Sequence, residues 1–599
     1  MERIVSIKFN IFYLLLSVSI GFCQDVYFVA MNGNNLNSGV FEQPWQSIQY
    51  AVDQVQAGDT LNIRAGIYTE KILITTSGTK HNPIVIKSFD NEVVKIDARN
   101  ESFGIILDEC HCVTISGLTI FGATKSHSSG EQSNLYLIKN SSHIIIQQCE
   151  LYDGKYGIYS QPEPTYITII DCKIHDNESE GIGIRGRVSG NNIIISGNYI
   201  YSNGKQGIFM KCDSSIIEKN NIYDNGEEGI YMKQGSSKVR THNIIRKNQI
   251  FNNYKHGIVL TSQYTLIYEN DIHDNGSHPS GNRHAHGIYM AQSSYNIIYN
   301  NEMHDNHHGS AVRLEGNYNV VTGNLFYNNG TGMYSTDNYG PECYCNIIRN
   351  NYIYGNRASE IGPTAGSGLE SDGTDELRLY NNVFFDNDGY GTAFVTGIYN
   401  LSSGIKIKNN IIMNNGWEHI MVKKENEEGY EESHNNIFPD KADAINFTGN
   451  IYWLADYKKT TSQGVNTISQ DPLFVAYNDF HLTSNSPCID AGVFLTTTSS
   501  SGDGTRIPVH DVMYFCDGHG LTQGDLIQLE GGTQKARITI IDYENKILTI
   551  DQSLSWTTGQ GVSLPYNGLA PDIGVDENFT SVDIDPPLPP QNVTIELAK

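Results

Sequence analysis

Cysteine is scarce: the 599 residues contain 10, and one of them, Cys23, lies in an N-terminal leader. The odd number that remains is spread thinly, which excludes a disulfide-held scaffold, and no cysteine spacing resembles a structural metal site. Cys149 and Cys172 hold the same place in successive repeats, within Gln-Cys-Glu-Leu-Tyr-Asp and Asp-Cys-Lys-Ile-His-Asp. They are expected to stack, either as a disulfide or, the favoured reading, as a ladder of buried thiols. Long apolar runs are also missing: beyond the leader nothing is long enough to span a bilayer as a helix. Positive charge is in deficit, with 40 Lys and Arg against 66 Asp and Glu and a formal net charge of −26. That balance argues against nucleic acid as a partner, because phosphate neutralisation needs the opposite sign.

Residues 1–23 carry Arg3 and Lys8, an apolar stretch from Ile11 to Ile20, and Gly21-Phe22-Cys23 before Gln24. This is the pattern of a secretory signal peptide, so a secreted protein is expected. From Tyr156 to Leu369 a Gly-aliphatic phrase recurs about once per 22 to 36 residues, with copies such as Gly181-Ile-Gly, Gly207-Ile-Phe, Gly229-Ile-Tyr, Gly287-Ile-Tyr, Gly309-Ser-Ala and Gly332-Met-Tyr. Each copy follows an Asn-rich corner marked by Asn177, Asn203, Asn225, Asn253, Asn275, Asn306, Asn329 or Asn356. A unit this short cannot bury its own apolar face, so successive units must stack into a solenoid. The Asn column is read as structural, bonding to neighbouring backbone or to the next Asn in a ladder.

Strand alternation sends Ile208 and Met210 inward and Phe209 and Lys211 outward. Applied to every copy, it predicts an outward aromatic column including Tyr159, Phe209, Tyr231, Tyr289 and Tyr334, with Ala311 between the last two. Beside it runs a basic row: Arg185, Lys211, Lys233 and Arg313. The residue before each Gly gives a corner column in which His256, His286 and His308 follow one another. Tyrosines offer an apolar body and a polar tip to a sugar, and Lys and Arg attract carboxylate or sulfate. The expected ligand is therefore a long acidic polysaccharide lying along the stack. Two elongated turns, 276–285 and 357–366, are expected to rise as walls beside this surface.

Three opening segments, Val26-Tyr-Phe-Val-Ala-Met-Asn-Gly-Asn-Asn, Gln43-Pro-Trp-Gln-Ser-Ile-Gln-Tyr-Ala-Val and Gly58-Asp-Thr-Leu-Asn-Ile-Arg-Ala-Gly-Ile-Tyr, resemble the entrance of right-handed parallel β-helix carbohydrate enzymes. The likeness is greatest to polysaccharide lyase family nine, with a more distant similarity to the alginate and chondroitin lyases of family six. Asp471-Pro-Leu-Phe, Ser486-Pro-Cys-Ile-Asp-Ala-Gly and Ala570-Pro-Asp-Ile-Gly are similar to the same group. The resemblance implies an all-β chain, a right-handed parallel β-helix with an amphipathic capping helix over Ser47 to Val55. It also implies calcium or basic groups that neutralise a uronate, and a Lys, Arg, His or Tyr as base. The aspartate cluster of family nine has no position-by-position match here.

For β-elimination, Arg313 is expected to hold the carboxylate, with His286, His256 or His308 as base, Tyr289 or Tyr231 as acid or base, and Lys233 as a competing base. Glu370 and Asp372 lie on one face of one strand, about 7 Å apart by the strand rise, with Asp337 and Glu315 nearby. That pair admits an inverting glycosidase, and Glu370, Asp372 and Asp337 together admit calcium. A non-catalytic carbohydrate-binding solenoid and an epimerase are the remaining readings. The organisation expected is signal peptide 1–23, β-helix 24–500, a small β-rich insertion 501–569 packed on the end of the helix, a closing segment 570–580 and a Pro-rich tail 581–599, in a chain acting as a monomer.

Overall fold

The computed structural model describes residues 24–575 and 577, apart from 128–130, 163, 186–191, 234–241, 277–284, 338–342, 359–365, 396–401, 478 and 576. The leader, the Pro-rich tail and most of both elongated turns lie outside the described residues. Three parallel sheets run the length of the solenoid, with 16, 15 and 16 strands. We number them 1 to 3 in the order the chain visits them: Thr60–Ile63 belongs to sheet 1, Gly66–Tyr68 to sheet 2 and Ile72–Ile74 to sheet 3. Most strands are only three residues long, so one central side chain or two flanking ones per strand can enter the core. Those positions are filled by aliphatic rows in register. Ile174, Ile200, Ile222, Ile250 and Ile272 pair from coil to coil in sheet 2, and Ile182, Ile208, Ile230, Ile258 and Ile288 do so in sheet 3. All are fully buried.

The corner between sheets 2 and 3 holds the Asn ladder. Asn203 donates its amide to Asn225 at 3.0 Å, Asn225 to Asn253 at 3.0 Å and Asn253 to Asn275 at 3.0 Å, and the chain of bonds continues to Asn415. Most also donate to a strand carbonyl, as Asn253 does to Ile222 at 3.1 Å. The corner between sheets 1 and 2 carries a second ladder that the Gly phrase does not mark, running from Asn198 through Asn220, Asn248, Asn270, Asn301, Asn324, Asn351, Asn382 and Asn410 to Asn435. The residue before each of these is left-handed: Lys219, Lys247 and Glu269 have φ of 56°, 55° and 54°, and Gly197 and Gly323 take the position without a Cβ penalty. On the outer face of sheet 2, ten rings from Phe121 to Tyr354 stack with centroids 4.7 to 5.3 Å apart. The coil repeat places equivalent side chains at ring-stacking distance.

Both ends of the core are closed. Helix α1 (Ile48–Val52) is N-capped by Ser47, and Glu70 accepts from the backbone N–H groups of Ile48 and Gln49. At the far end helix α2 (Leu454–Thr461) adds Leu454 and Tyr457 to the main core, after Asn450–Tyr452 turns back antiparallel on Ile445–Phe447. The β-rich insertion exists as a six-stranded antiparallel sheet between Thr496 and Ser563. It does not cap the helix end. It packs on the flank, where Ile216, Leu266, Ile297, Val320 and Ile347 of sheet 1 share one core with Ile507, Val512, Phe515, Ile527 and Ile538. Those outward apolar residues of sheet 1 need a cover, whereas α2 already seals the end. Ile573 of the closing segment lies with Val383, Phe385 and Ile411. The described cysteines are free, and the Cys149 N–H points at Cys172 Sγ at 3.5 Å, so the thiol ladder holds and the disulfide does not.

Asn253→Ala should strand several buried partners at once, each worth roughly 1–3 kcal/mol. The expected loss is about 3 kcal/mol, read from the denaturant midpoint; a loss under about 0.5 kcal/mol would show that the ladder does not hold the coils.

Candidate active site

The outward face of sheet 3 carries the predicted surface, and its two halves differ. In the N-terminal half the aromatic column is packed rather than open: Tyr159 and Phe209 are only 4% and 6% exposed. Arg185 is ion-paired with Glu180 and sits 4.6 Å over the Phe209 ring and 5.5 Å from Tyr159. Gly183, between those rings in register, leaves the gap that the guanidinium fills. Tyr231 and Lys211 are half-buried, and Lys233 is exposed with its amine 5.8 Å from the Tyr231 ring.

Farther along, the register departs from the repeat reading. Ile288, Tyr289 and Met290 pair with Val312, Arg313 and Leu314, so the phrase restarts at Ala311 rather than Gly309. The physical reason is the core: a start at Gly309 would send Ser310 inward, whereas Val312 and Leu314 supply the two apolar side chains each coil must bury. The shift is an even number of residues, so Arg313 still faces outward. It moves into the aromatic column, between Tyr289 and Tyr334, instead of the basic row. Ser310 takes the corner place assigned to His308. His308 is half-buried away from that column, with its pKa lowered by burial and by His307.

His256 and His286 do stack at the corner, with ring centroids 5.3 Å apart, and both adjoin Tyr289 at 5.3 and 5.8 Å. His256 Nδ1 accepts the backbone N–H of His286 at 2.9 Å, and His286 Nδ1 accepts that of Ser310 at 2.9 Å. A neutral imidazole that accepts at Nδ1 carries its proton on Nε2. That proton leaves neither ring a lone pair with which to act as the expected base, and His286 Nε2 is itself buried.

Next to them Arg313 lies between two rings, 5.0 Å from the Tyr289 centroid and 5.5 Å from that of Tyr334, a cation–π arrangement on both faces. Its Nε and Nη2 donate to Glu315 Oε1 at 2.9 and 2.8 Å. Tyr289 donates its hydroxyl to Glu315 at 3.3 Å, and Tyr334 donates to Asp372 at 3.1 Å. Two phenol–carboxylate pairs thus flank one guanidinium. Burial raises the Glu315 pKa, and Asp337 adds to the rise against the opposing pull of Arg313 and Tyr289. Asp372 is raised by burial and by Asp337, opposed by Tyr334, Lys423 and Arg313. Burial lifts Tyr334 to about 12, with Asp372 contributing.

Glu370 is in register with Tyr334 and is bonded at the corner. Ser367 donates to it at 2.8 Å, while burial and the Asp372 charge raise its pKa. The expected calcium set of Glu370, Asp372 and Asp337 is not gathered around one point. Among the described residues, the trios of ligand-type side chains close enough to share an ion are Asp271, His273 and His304, and Cys516, Asp517 and His519. The three carboxylates do not fit a calcium site in this arrangement. Sequence reasoning placed Ser367 in the corner column but did not reach Ser310 or Lys423. Lys423 follows Ile420-Met-Val, a coil phrase without its Gly, so only the inward apolar spacing marks it.

A family model described as a right-handed beta helix region matches residues 134–281, 245–397 and 286–500. The chain belongs to this right-handed β-helix family. A second model, Pel9A-like right-handed beta helix region, matches 27–186 of the β-helix, a span that ends before the coils carrying Tyr289 and Arg313. Two curated relatives are similar over parts of the chain. An uncharacterized protein YwoF of Bacillus subtilis (strain 168) is 28% identical over 203 residues, 31% of this chain and 43% of that protein. Pectate lyase PEL9 of Emericella nidulans is 30% identical over 175 residues, 28% of this chain and 38% of that enzyme. The chain thus spans less than half the length of either. The crystal structure of pectate lyase Pel9A is similar at 16% identity and TM-score 0.27, over 80% of this chain and 95% of that one. A mannuronic acid specific family 6 lyase from human gut microbiota is similar at 13% and 0.39, over 58% and 87%.

The raised pKa of Glu370 carries a stability consequence. A carboxyl whose folded pKa lies above its unfolded value favours the fold most at low pH, and that contribution is lost as pH rises through the folded pKa. Glu370→Gln keeps an acceptor for Ser367 and removes the buried charge. A higher melting temperature than the parent is expected at pH 8, with the gain vanishing near pH 4; an unchanged melting temperature at both pH values would contradict the assignment.

Proposed function

We propose that the protein is a secreted lyase that cleaves an acidic, uronate-containing polysaccharide by β-elimination in the groove of sheet 3, acting as a monomer. The observation that carries this reading is the Arg313 guanidinium held between Tyr289 and Tyr334, each hydrogen-bonded to its own carboxylate. β-Elimination needs a neutralised carboxylate, a base for the adjacent proton and an acid for the leaving oxygen. Arg313 meets the substrate carboxylate. Tyr334 and Asp372 take the proton next to it; the C–H electron pair becomes the new double bond as the C–O bond breaks. Tyr289, backed by Glu315, protonates the departing oxygen. The raised pKa of Asp372 suits its role by making it a stronger base. The partial likeness to a pectate lyase supports the same chemistry. No step is assigned to calcium.

Glu370 and Asp372 favour a second reading. They lie about 7 Å apart on one strand, both raised by burial, at a separation that an inverting glycosidase uses.

Residues 24–599 on alginate, pectate and ulvan should release reducing ends with a parallel rise in absorbance at 232 nm. Reducing ends without absorbance would establish hydrolysis instead. Arg313→Ala is expected to lower kcat/KM by about 10²–10³, the usual effect of removing one charge-stabilising donor, and full turnover in that variant would sink the assignment. Because Asp372 acts as its carboxylate and its pKa is raised, activity should fall on acidification at a pH above the ordinary aspartate range of about 4. Asp372→Asn should abolish turnover rather than merely shift the profile.

A further inference from the structure

Around the corner from the groove, a cleft of about 590 Å³ opens between the solenoid and the C-terminal sheet. We propose that it is a second saccharide-binding site, taking a short segment of a glycan that carries carboxylate or sulfate groups. It is separate from the sheet 3 groove and does not depend on the chemistry assigned there.

One wall is a tyrosine ladder at the turn between sheets 3 and 1. Tyr264 and Tyr295 stack at 4.9 Å with planes 4° apart, and Tyr295 and Tyr318 at 5.0 Å and 8°. Both faces of Tyr295 are thus covered by neighbouring rings, so it offers the cleft its edge and hydroxyl. The opposite wall comes from the C-terminal sheet and a loop between its strands, through Asp517, His519, Thr522 and Arg537. The size lies within the range of about 300–1,000 Å³ typical of small-ligand sites.

Two features distinguish the cleft from a packing gap. First, it is preformed, because the two walls are tied together beneath it. Arg349 forms a buried pair with Asp525, Arg378 reaches Asp511 at 3.0 Å, and the Tyr380 hydroxyl donates to the Tyr514 carbonyl at 2.6 Å. Second, it contains polar atoms that the described protein leaves unbonded. The His519 side chain is only 6% exposed, its ring lies edge-on to Tyr295 at 5.5 Å, and its Nε2 has no hydrogen-bond partner among the described residues; neither has Thr522 Oγ1. Buried polar atoms left unpaired cost roughly 1–3 kcal/mol each, so they mark where a ligand's oxygens belong. Asp517 is turned to His519 Nδ1 at 3.5 Å, and Arg537 is the cation that the cleft offers to a carboxylate or sulfate. Phenol and threonine hydroxyls, an imidazole N–H, a guanidinium and aromatic edges are the partners that sugar hydroxyls and ring C–H groups use.

Titration calorimetry on the full mature chain would test this with three probes: trigalacturonate, trimannuronate and a sulfated galactan trisaccharide. Arg313→Ala serves as the background, so that turnover in the groove does not interfere. At least one probe should bind to this background, and Arg537→Met or His519→Gln added to it should weaken binding at least tenfold. Arg537 is half-exposed, so its replacement keeps the test meaningful should the buried His519 variant fail to fold. Binding of no probe, binding unaffected by Arg537→Met, or binding found in the parent and absent from the Arg313→Ala background would each overturn the proposal.

Discussion

Each coil of this protein is held by the next one. Strands of three residues have too few hydrogen bonds and too little apolar surface to persist alone, so cohesion comes from pairing in register at every sheet and from amides that cross each corner. The two Asn ladders are the part of this scheme with the least tolerance. Asn253, for example, accepts from the preceding coil, donates to the next, and donates again to a strand carbonyl, all away from water. In such surroundings a missing partner costs more than an extra bond gains. The regular spacing of everything else, including the ring stack on sheet 2 and the groove on sheet 3, follows from that fixed corner.

The same regularity explains why the groove concentrates charge. Parallel register places equivalent side chains about 4.8 Å apart, so a basic or acidic residue in one coil meets whatever occupies its column in the next. Around Arg313 the neighbours are aromatic in the column and acidic beside it, and the guanidinium is sandwiched and neutralised at once. Toward the N-terminus Arg185 does the same with Glu180 and Phe209. The groove is thus a set of preformed ion pairs rather than a bare basic stripe, and an acidic ligand must exchange partners to bind there.

The C-terminal sheet shows how an apolar flank is covered within one chain. Sheet 1 carries outward Ile, Leu and Val residues over many coils, and the antiparallel sheet covers them and adds the buried Arg349–Asp525 and Arg378–Asp511 pairs. Desolvated ion pairs of this kind contribute more to a unique docking geometry than to net stability, and a unique geometry is what leaves a defined cleft along the seam.

The solenoid, the inward Ile rows and the first Asn ladder could be read from sequence, because an apolar alternation and a polar corner repeated nine or ten times leave one solution. The outward direction of Arg313, Tyr289 and Asp372 was legible for the same reason, since parity survives an even shift in register. Which residues meet was not. The place of Arg313 in its column was decided by the core demanding Val312 and Leu314, the direction of the His256 and His286 lone pairs by backbone N–H groups one coil away, and the seat of the C-terminal sheet by apolar residues distributed over many coils. A repeat in sequence determines periodicity and facing; lateral contacts depend on the offset between coils, which only packing in three dimensions settles.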